Sequence, residues 1–299
     1  MTRAAADVSP RIAVDGYRAS LDQLMTGLAR WAPRMNPSDI ARQLTRWLDD
    51  AEVQWVVDQV PGGGERIIQQ ALEEYVNFTP SVASNASDPV SVMRIVLLQQ
   101  IDVAWWSRSP GFADDFAVNT SLDLLDLRPM RATGQVRFGF GIGSDRLVRR
   151  ARDFAVQRLR PDREPRGPGL SCRLARPELI AVLNEMADRL ADAAPEGTPR
   201  LWVNSIVRSV VHQRRLRTLG FTALLPSAHC QGWAADVELA WFERFGAREV
   251  LRDVLLDYSD AGVLNVIDEG RAWHVCLAPH AVVRYSMSGV SSVRATRTR

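Results

Sequence analysis

A segment rich in proline, glycine and charged residues, RPDREPRGPG at 160–169, divides the sequence into two parts with different hydrophobic patterns. In the first part, apolar residues recur at the spacing of helices, as in 9–32 and 88–106. In the second part, helical stretches alternate with short apolar runs that are typical of strands. The sequence therefore predicts an α+β protein, with a mainly helical N-terminal domain over residues 1–165 and a small α+β domain over residues 166–299.

The second domain contains several predicted strands, at 200–208, 232–241, 263–267 and 273–278. The last two flank the polar stretch DEGRA, which contains a glycine and is short enough to form the turn of a hairpin. Polar residues that can bind a ligand or take part in a reaction lie in the loops and strand ends of this domain, so we expect any functional site to be there.

Composition and charge argue against several kinds of partner. The formal net charge is +2 and every basic residue is arginine, without a concentrated basic stripe, so we expect no nucleic-acid partner. No run of about 18 apolar residues is present, so we expect no membrane-spanning helix. Asp7 and Asp15 interrupt any signal-peptide core, and the 3 cysteines are widely spaced, as in a reducing compartment. Together these features predict a cytoplasmic protein.

All 4 histidines lie in the second domain, and one belongs to a dense polar motif. The stretch SAHCQGWAAD runs from Ser227 to Asp236 and contains His229, and His274 follows in the last predicted strand. Two imidazoles and one carboxylate suit a metal site with three protein ligands and one open position, as in catalytic zinc sites. Zinc in such a site lowers the pKa of a water molecule to roughly 7. Cys230 adjoins His229 and is a packing residue, a fourth ligand or a redox-active thiol.

Three segments resemble the zinc motifs of the M15 peptidases, the family of D-alanyl-D-alanine dipeptidases and carboxypeptidases. The stretch from Ser227 to Asp236 matches S-x-H-x-x-G-x-A-x-D at every fixed position. The upstream segment SIVRSVVHQRRL, 205–216, is similar to the family's S-x-x-R-S-x-x-x-Q-x-x-L, and WH at 273–274 is similar to its E-x-W-H. The order and separation of the motifs also agree, and the resemblance covers residues 170–285.

The resemblance implies a zinc metallopeptidase that takes a small peptide or peptide-like substrate, favouring D-amino acids. It implies one zinc ion per chain with three ligands, which are His229, Asp236 and His274. It implies that Arg208 faces the scissile carbonyl of the substrate, that Ser227 helps to hold the substrate or its loop, and that Gln213 is a supporting hydrogen-bonding residue. It also implies the small α+β fold shared by hedgehog and D,D-peptidase domains.

The sequence departs from the family at the catalytic glutamate. The family carries a glutamate three residues before the last histidine, and here that position is Arg271. The nearest carboxylates before His274 are Glu269 and Asp268, which is closer to the hedgehog-type spacing. We predict Glu269 as the general base, because a hairpin turn of different length can still deliver one side chain to the metal. The alternatives are a zinc-binding module without catalysis and a metalloenzyme of another reaction type, whose N-terminal domain supplies the substrate pocket.

Overall fold

The computed structural model describes residues 9–31, 35–79, 86–142, 165, 170–221 and 223–286. These residues form a mixture of α-helices and small β-sheets, which confirms the predicted class at that level. The domain boundary predicted at 165/166 falls in a stretch of which only Pro165 is described. The helices of the described residues include none that is both long and apolar enough to cross a membrane.

Helices make up the N-terminal part, as the periodicity predicts. They are α1 (Pro10–Trp31), α2 (Pro37–Leu48), α3 (Ala51–Gln59), α4 (Gly63–Val76) and α5 (Pro89–Trp106). Side-chain caps start two of them: Asn36 accepts a hydrogen bond from the backbone of Asp39, and Asp88 accepts from the backbones of Val90 and Ser91. Proline in the first turn of α2 and α5 adds to these signals.

A hydrophobic core lies among these helices and reaches into the C-terminal part. Tyr17, Leu44 and Leu97 are fully buried in it, and the Tyr17 hydroxyl donates to the Leu97 carbonyl at 2.7 Å. The same core includes Leu224 and Ile267, which follow far later in the sequence. The helical part is therefore packed directly against the sheet of the C-terminal part.

Short elements connect the two parts, and the remaining helices and strands follow in the C-terminal part. The connecting elements are α6 (Asp115–Thr120), β1 (Leu125–Asp126) and α7 (Leu127–Ala132). The later helices are α8 (Pro177–Ala193), α9 (Val210–Thr218), α10 (Ala228–Gln231) and α11 (Arg248–Asp260). The later strands are β2 (Leu174–Ala175), β3 (Val203–Ser205), β4 (Ala234–Glu238), β5 (Leu264–Asp268) and β6 (Ala272–Leu277). Strand β2 pairs with β1.

The main sheet has the order β3-β4-β6-β5, and each neighbouring pair is antiparallel. The predicted hairpin is confirmed, since β5 and β6 are adjacent and the Glu269 backbone donates to the Ala272 carbonyl at 3.0 Å. In this register Asp236 lies opposite His274, and Ile267 lies opposite His274 on the other side. The central strands of the sheet thus bring two of the predicted ligands side by side.

Helix α5 contributes to the cores on both sides of it. Its residues pack mainly in the helical core, but Trp106 at its end belongs to the core of the C-terminal part. The Trp106 ring stacks on Trp233, with 4.3 Å between centroids and 12° between planes. The Arg176 guanidinium lies over the Trp233 ring at 4.3 Å, and the Trp106 indole nitrogen donates to the Leu277 carbonyl at 2.9 Å. These contacts fix the end of α5 against the sheet.

Candidate metal centre

Three donor atoms from His229, Asp236 and His274 converge on one point. His229 Nε2 lies 3.1 Å from Asp236 Oδ1 and 3.3 Å from His274 Nδ1, and His274 Nδ1 lies 3.2 Å from Asp236 Oδ1. Both imidazoles are buried, whereas the Asp236 side chain is 14% exposed. The three residues form a buried group that could hold a metal ion.

The separations within this group suit metal coordination. Ligand atoms bound to a tetrahedral ion at about 2.0 Å lie about 3.3 Å from one another, close to the three distances observed. Two nitrogen lone pairs and a carboxylate oxygen at this distance repel each other unless a proton or a cation lies between them. A metal ion at the centre of the group satisfies all three donors at once.

The local sequence explains the position of His229. It lies in the one-turn helix α10, which ends at Gly232 with φ +78°, a conformation that favours glycine. The chain then reverses directly into β4, which carries Asp236. His229 Nδ1 lies 2.6 Å from the Ile206 carbonyl oxygen. Because a carbonyl oxygen only accepts hydrogen bonds, Nδ1 carries the proton and Nε2 is free to face the metal position.

His274 is oriented by a carboxylate from the N-terminal part. Its Nε2 lies 2.8 Å from Asp102 Oδ2, and Asp102 is itself buried in α5. A carboxylate on the far nitrogen of a ligand histidine is a common feature of metal sites, because it fixes the ring and its tautomer. With the proton on Nε2, the Nδ1 lone pair of His274 points at His229 and Asp236.

Arg208 lies on the side of Asp236 away from the imidazoles. Its Nη2 donates to Asp236 Oδ2, while its Nε donates to Ser205 Oγ at 2.7 Å and its Nη1 to Gln213 Oε1 at 3.3 Å. The predicted substrate-facing guanidinium is therefore engaged with the Asp236 carboxylate. Its side chain is 16% exposed, so this edge is the more open side of the buried group.

Burial and charge set the protonation of the metal-free group. Burial lowers the pKa of His229 and the Arg208 guanidinium lowers it further, which outweighs the opposing effect of Asp236. Burial also lowers the pKa of His274, but hydrogen bonds to Asp102 and Asp236 outweigh it and raise the pKa to about 10. Burial raises the pKa of the Asp236 carboxyl, but its contacts with His229 and Arg208 hold that pKa well below the ordinary range. Without a metal, the His274 ring is thus a cation that donates from Nε2 to Asp102 and from Nδ1 to Asp236.

The structure also describes Gln213 and Ser227, which the sequence predicts for the site, and Arg271. Gln213 is buried and holds Arg208 on one side and the Leu224 carbonyl, at 3.1 Å, on the other. Ser227 precedes α10 and makes no side-chain capping bond to it. Arg271, at the family's glutamate position, has an exposed side chain, and its carbonyl accepts from the backbones of Leu239 and Ala240 at 3.2 Å.

Glu269 lies at the hairpin end on the face of the sheet that carries the ligands. Ile267 is the register partner of His274, and side chains two residues apart in a strand share a face. Glu269 pairs with Ala272, two residues before His274, which continues the same register. Its Oε1 accepts a hydrogen bond from Gln99 Nε2 of α5 at 3.4 Å. Helix α5 thus contacts both His274 and Glu269.

Sequence reasoning did not find Asp102, although a signal was present. Asp102 is an acidic residue inside the apolar run IVLLQQIDVAWW, and α5 buries it. A carboxylate in a buried helix requires a partner, because an unpaired buried charge is costly. The partner itself is not predictable from local spacing, since it lies in a strand 172 residues later.

Comparison of the chain with protein-family models, with curated proteins and with solved structures finds no match. The function of the site is therefore inferred from its own geometry and from the motifs in its sequence.

Proposed function

We propose that the protein is a zinc-dependent hydrolase that cleaves a peptide or amide bond in a short, D-amino-acid-containing peptide. The observation that carries the proposal is the triangle of His229 Nε2, Asp236 Oδ1 and His274 Nδ1, with sides of 3.1 to 3.3 Å. Nitrogen and carboxylate donors at tetrahedral spacing are the ligands that zinc prefers. The proposal includes the hedgehog-like fold implied by the resemblance to the M15 peptidases.

The number of ligands favours a catalytic site. Structural zinc sites are closed by four protein ligands, whereas catalytic sites keep one position open. Within the described residues, the candidate group contains His229, Asp236 and His274, and neither Cys230 nor Cys276 contributes a donor to it. A cysteine as fourth ligand is therefore not part of the proposal.

The residues around the group supply the remaining chemistry. When bound, zinc would polarise the scissile carbonyl and increase the acidity of water. Glu269 accepts a proton from the attacking water and returns it to the nitrogen of the leaving amine as the carbon–nitrogen bond breaks. Arg208 fixes the Asp236 carboxylate and supplies positive charge where the carbonyl oxygen becomes negative. Gln213 holds Arg208, and Ser227 lies ahead of α10, where it can contact a substrate.

The second candidate is a zinc-binding module without catalysis. It is favoured by the burial of the imidazoles, which are 3% and 4% exposed, and by the engagement of Arg208 with Asp236. In that case the ion joins α5 to the sheet through Asp102 and His274 and has only a structural role.

The decisive experiment combines zinc analysis with hydrolysis assays on D-containing dipeptides and peptidoglycan stem peptides. We expect about one zinc per chain and turnover in the wild type, and loss of both in His229→Ala. Glu269→Gln should keep zinc but lose turnover by a factor of about 100 or more, because general-base catalysis contributes that much.

The matched control is Asp268→Asn, which changes the exposed neighbouring carboxylate of the same turn. This variant should keep both zinc and turnover. Zinc binding without turnover on any of these peptides would favour the non-catalytic module, and full activity in Glu269→Gln would refute the role of Glu269.

A further inference from the structure

The carboxylate of Asp102 receives hydrogen bonds on both of its oxygens. Oδ2 accepts from His274 Nε2 and Oδ1 accepts from Asn265 Nδ2, each at 2.8 Å. Asp102 is 3% exposed and Asn265 is fully buried, so water does not compete for these contacts. Asp102 therefore joins strands β5 and β6 to helix α5 at the metal group.

The orientation of Asn265 is fixed from its other side. Its Oδ1 accepts from Arg18 Nη2 of α1 at 2.9 Å, and its Nδ2 also donates to the Leu98 carbonyl at 3.1 Å. An amide with an arginine donor at its oxygen and a carbonyl at its nitrogen has only one satisfied orientation. The Asn265 amide hydrogen consequently points at Asp102.

This arrangement determines where His274 carries its proton. With a donor from Asn265 on one oxygen, Asp102 uses the other oxygen to accept, so the neutral form of His274 that can bind a metal keeps its proton on Nε2. The Nδ1 lone pair is then available on the side of His229 and Asp236. A series of hydrogen bonds from Arg18 through Asn265 to Asp102 thus connects the helical part to the protonation of His274 at Nε2.

We propose that Asp102 is a positioning residue that holds His274 in the metal-binding tautomer, and that the N-terminal helices are thereby part of the metal centre. This inference rests on the zinc site of the proposed function, but it concerns zinc affinity and not hydrolysis. It gives α1 and α5 a role in the metal site that the sequence motifs of the C-terminal part do not indicate. Partners of this kind typically change metal affinity by a factor of about 10 to 100.

The test begins with Asp102→Asn, which has nearly the same shape but presents an amide. One oxygen cannot accept from both Asn265 and His274, so the new NH₂ group faces one of these donors. His274 relieves the conflict by giving up its Nε2 proton and keeping the one on Nδ1, which occupies the lone pair needed for zinc. We expect zinc affinity, measured by competition with a chromophoric chelator, to fall about 10- to 100-fold.

The double variant Asp102→Asn/Asn265→Asp exchanges the two groups and keeps the net charge. The amide at position 102 can then donate to the carboxylate at 265 while its oxygen accepts from His274 Nε2. The carboxylate at 265 also keeps an acceptor for Arg18, which now donates to an anion, but it gives up the donor to the Leu98 carbonyl. We expect this second change to restore part of the lost zinc affinity.

Controls separate this role from folding and from the proposed reaction. Asp58→Asn changes an exposed aspartate of α3 and should leave zinc affinity unchanged. Thermal unfolding in the presence of chelator reports whether each variant folds without metal. Wild-type affinity in Asp102→Asn, or no recovery in a folded double variant, would overturn the inference and leave the proposed hydrolase standing. A wild-type protein that binds no zinc would overturn both.

Discussion

Among the individual residues of the candidate site, the two imidazoles are held by acceptors of different kinds. His229 donates to the main-chain carbonyl of Ile206, which no substitution at that position removes. His274 donates to the side chain of Asp102, which can be changed. Since both ligands need the proton on the nitrogen away from the metal, the centre depends equally on backbone geometry and on one distant carboxylate.

The raised pKa of His274 predicts that zinc binding releases a proton. In the metal-free protein this pKa is about 10, so His274 is charged at neutral pH, whereas a metal ligand must be neutral. At about pH 6, below the pKa of roughly 7 that zinc gives to a bound water, zinc should displace about one proton per ion from His274, and the apparent affinity should rise about tenfold per pH unit. Calorimetry in buffers with different ionisation enthalpies measures the number of protons released. A value near zero would contradict the charged state.

Two of the three residues of the candidate group are accessible to sequence reasoning because they obey local spacing. His229 and Asp236 are joined by one turn of helix, a glycine and the start of a strand, and such a motif can be read directly. The contact between Arg208 and Asp236 is not predictable from the sequence, because it depends on the pairing of β3 with β4. Asp102 was missed for the same reason, since no spacing relates it to His274.

Among the elements, α5 has the largest influence on the site. It is buried on nearly all sides, and its apolar residues do not form a single stripe, as is typical of a helix between two packed layers. One layer is the helical core, and the other is the sheet that carries the ligands. A change that displaces α5 therefore displaces both Gln99, which contacts Glu269, and Asp102, which contacts His274.

Truncation of Leu97 in α5 should destabilise the protein strongly. Leu97 is fully buried in the helical core, so Leu97→Ala should lower the free energy of unfolding by about 2–5 kcal/mol. The matched control is Leu122→Ala, because Leu122 is 99% exposed and its change should stay within about 0.5 kcal/mol. Denaturant unfolding in the presence of chelator measures both. Equal effects at the two positions would show that α5 does not support the core.

The strands show where the element predictions were right and where they were too long. The hairpin β5–β6 is confirmed, because two short apolar runs and a glycine turn specify it locally. The strand predicted at 200–208 is only Val203–Ser205, since its register with β4 shifts there and the chain then leaves the sheet. The Arg208 backbone donates to the His229 carbonyl at 3.1 Å, so the chain after Ser205 forms a hydrogen bond with α10 and not with the sheet.

In the whole molecule, the metal group lies where the helical part meets the sheet. Its ligands come from α10, β4 and β6, and the residues that orient His274 come from α1, α5 and β5. Because Ile267 and Leu224 also pack in the helical core, metal and apolar contacts join the same two parts of the chain. We expect binding of the ion to stabilise both parts.

Zinc should therefore raise the thermal midpoint of the whole molecule. At a free zinc concentration 100 times the Kd, binding stabilises the folded state by about 2.7 kcal/mol. For a chain of 299 residues, that corresponds to a shift of about 4 °C. Circular dichroism with and without chelator measures the shift, and His229→Ala should show none. A shift confined to one of two separate transitions would mean that the ion stabilises only one part.

The stacked pair of Trp106 and Trp233 gives this junction an optical signature. The two indoles are nearly parallel and 4.3 Å apart, and they come from α5 and from the residue that precedes β4. At such a separation the electronic transitions of the two rings couple, and the coupling produces an exciton contribution to circular dichroism that isolated tryptophans lack. Because one ring belongs to α5 and the other to the segment joining His229 to Asp236, the contribution of this pair reports on the contact between the helical part and the sheet, beside that of the Trp202–Trp241 pair, whose centroids are 5.9 Å apart.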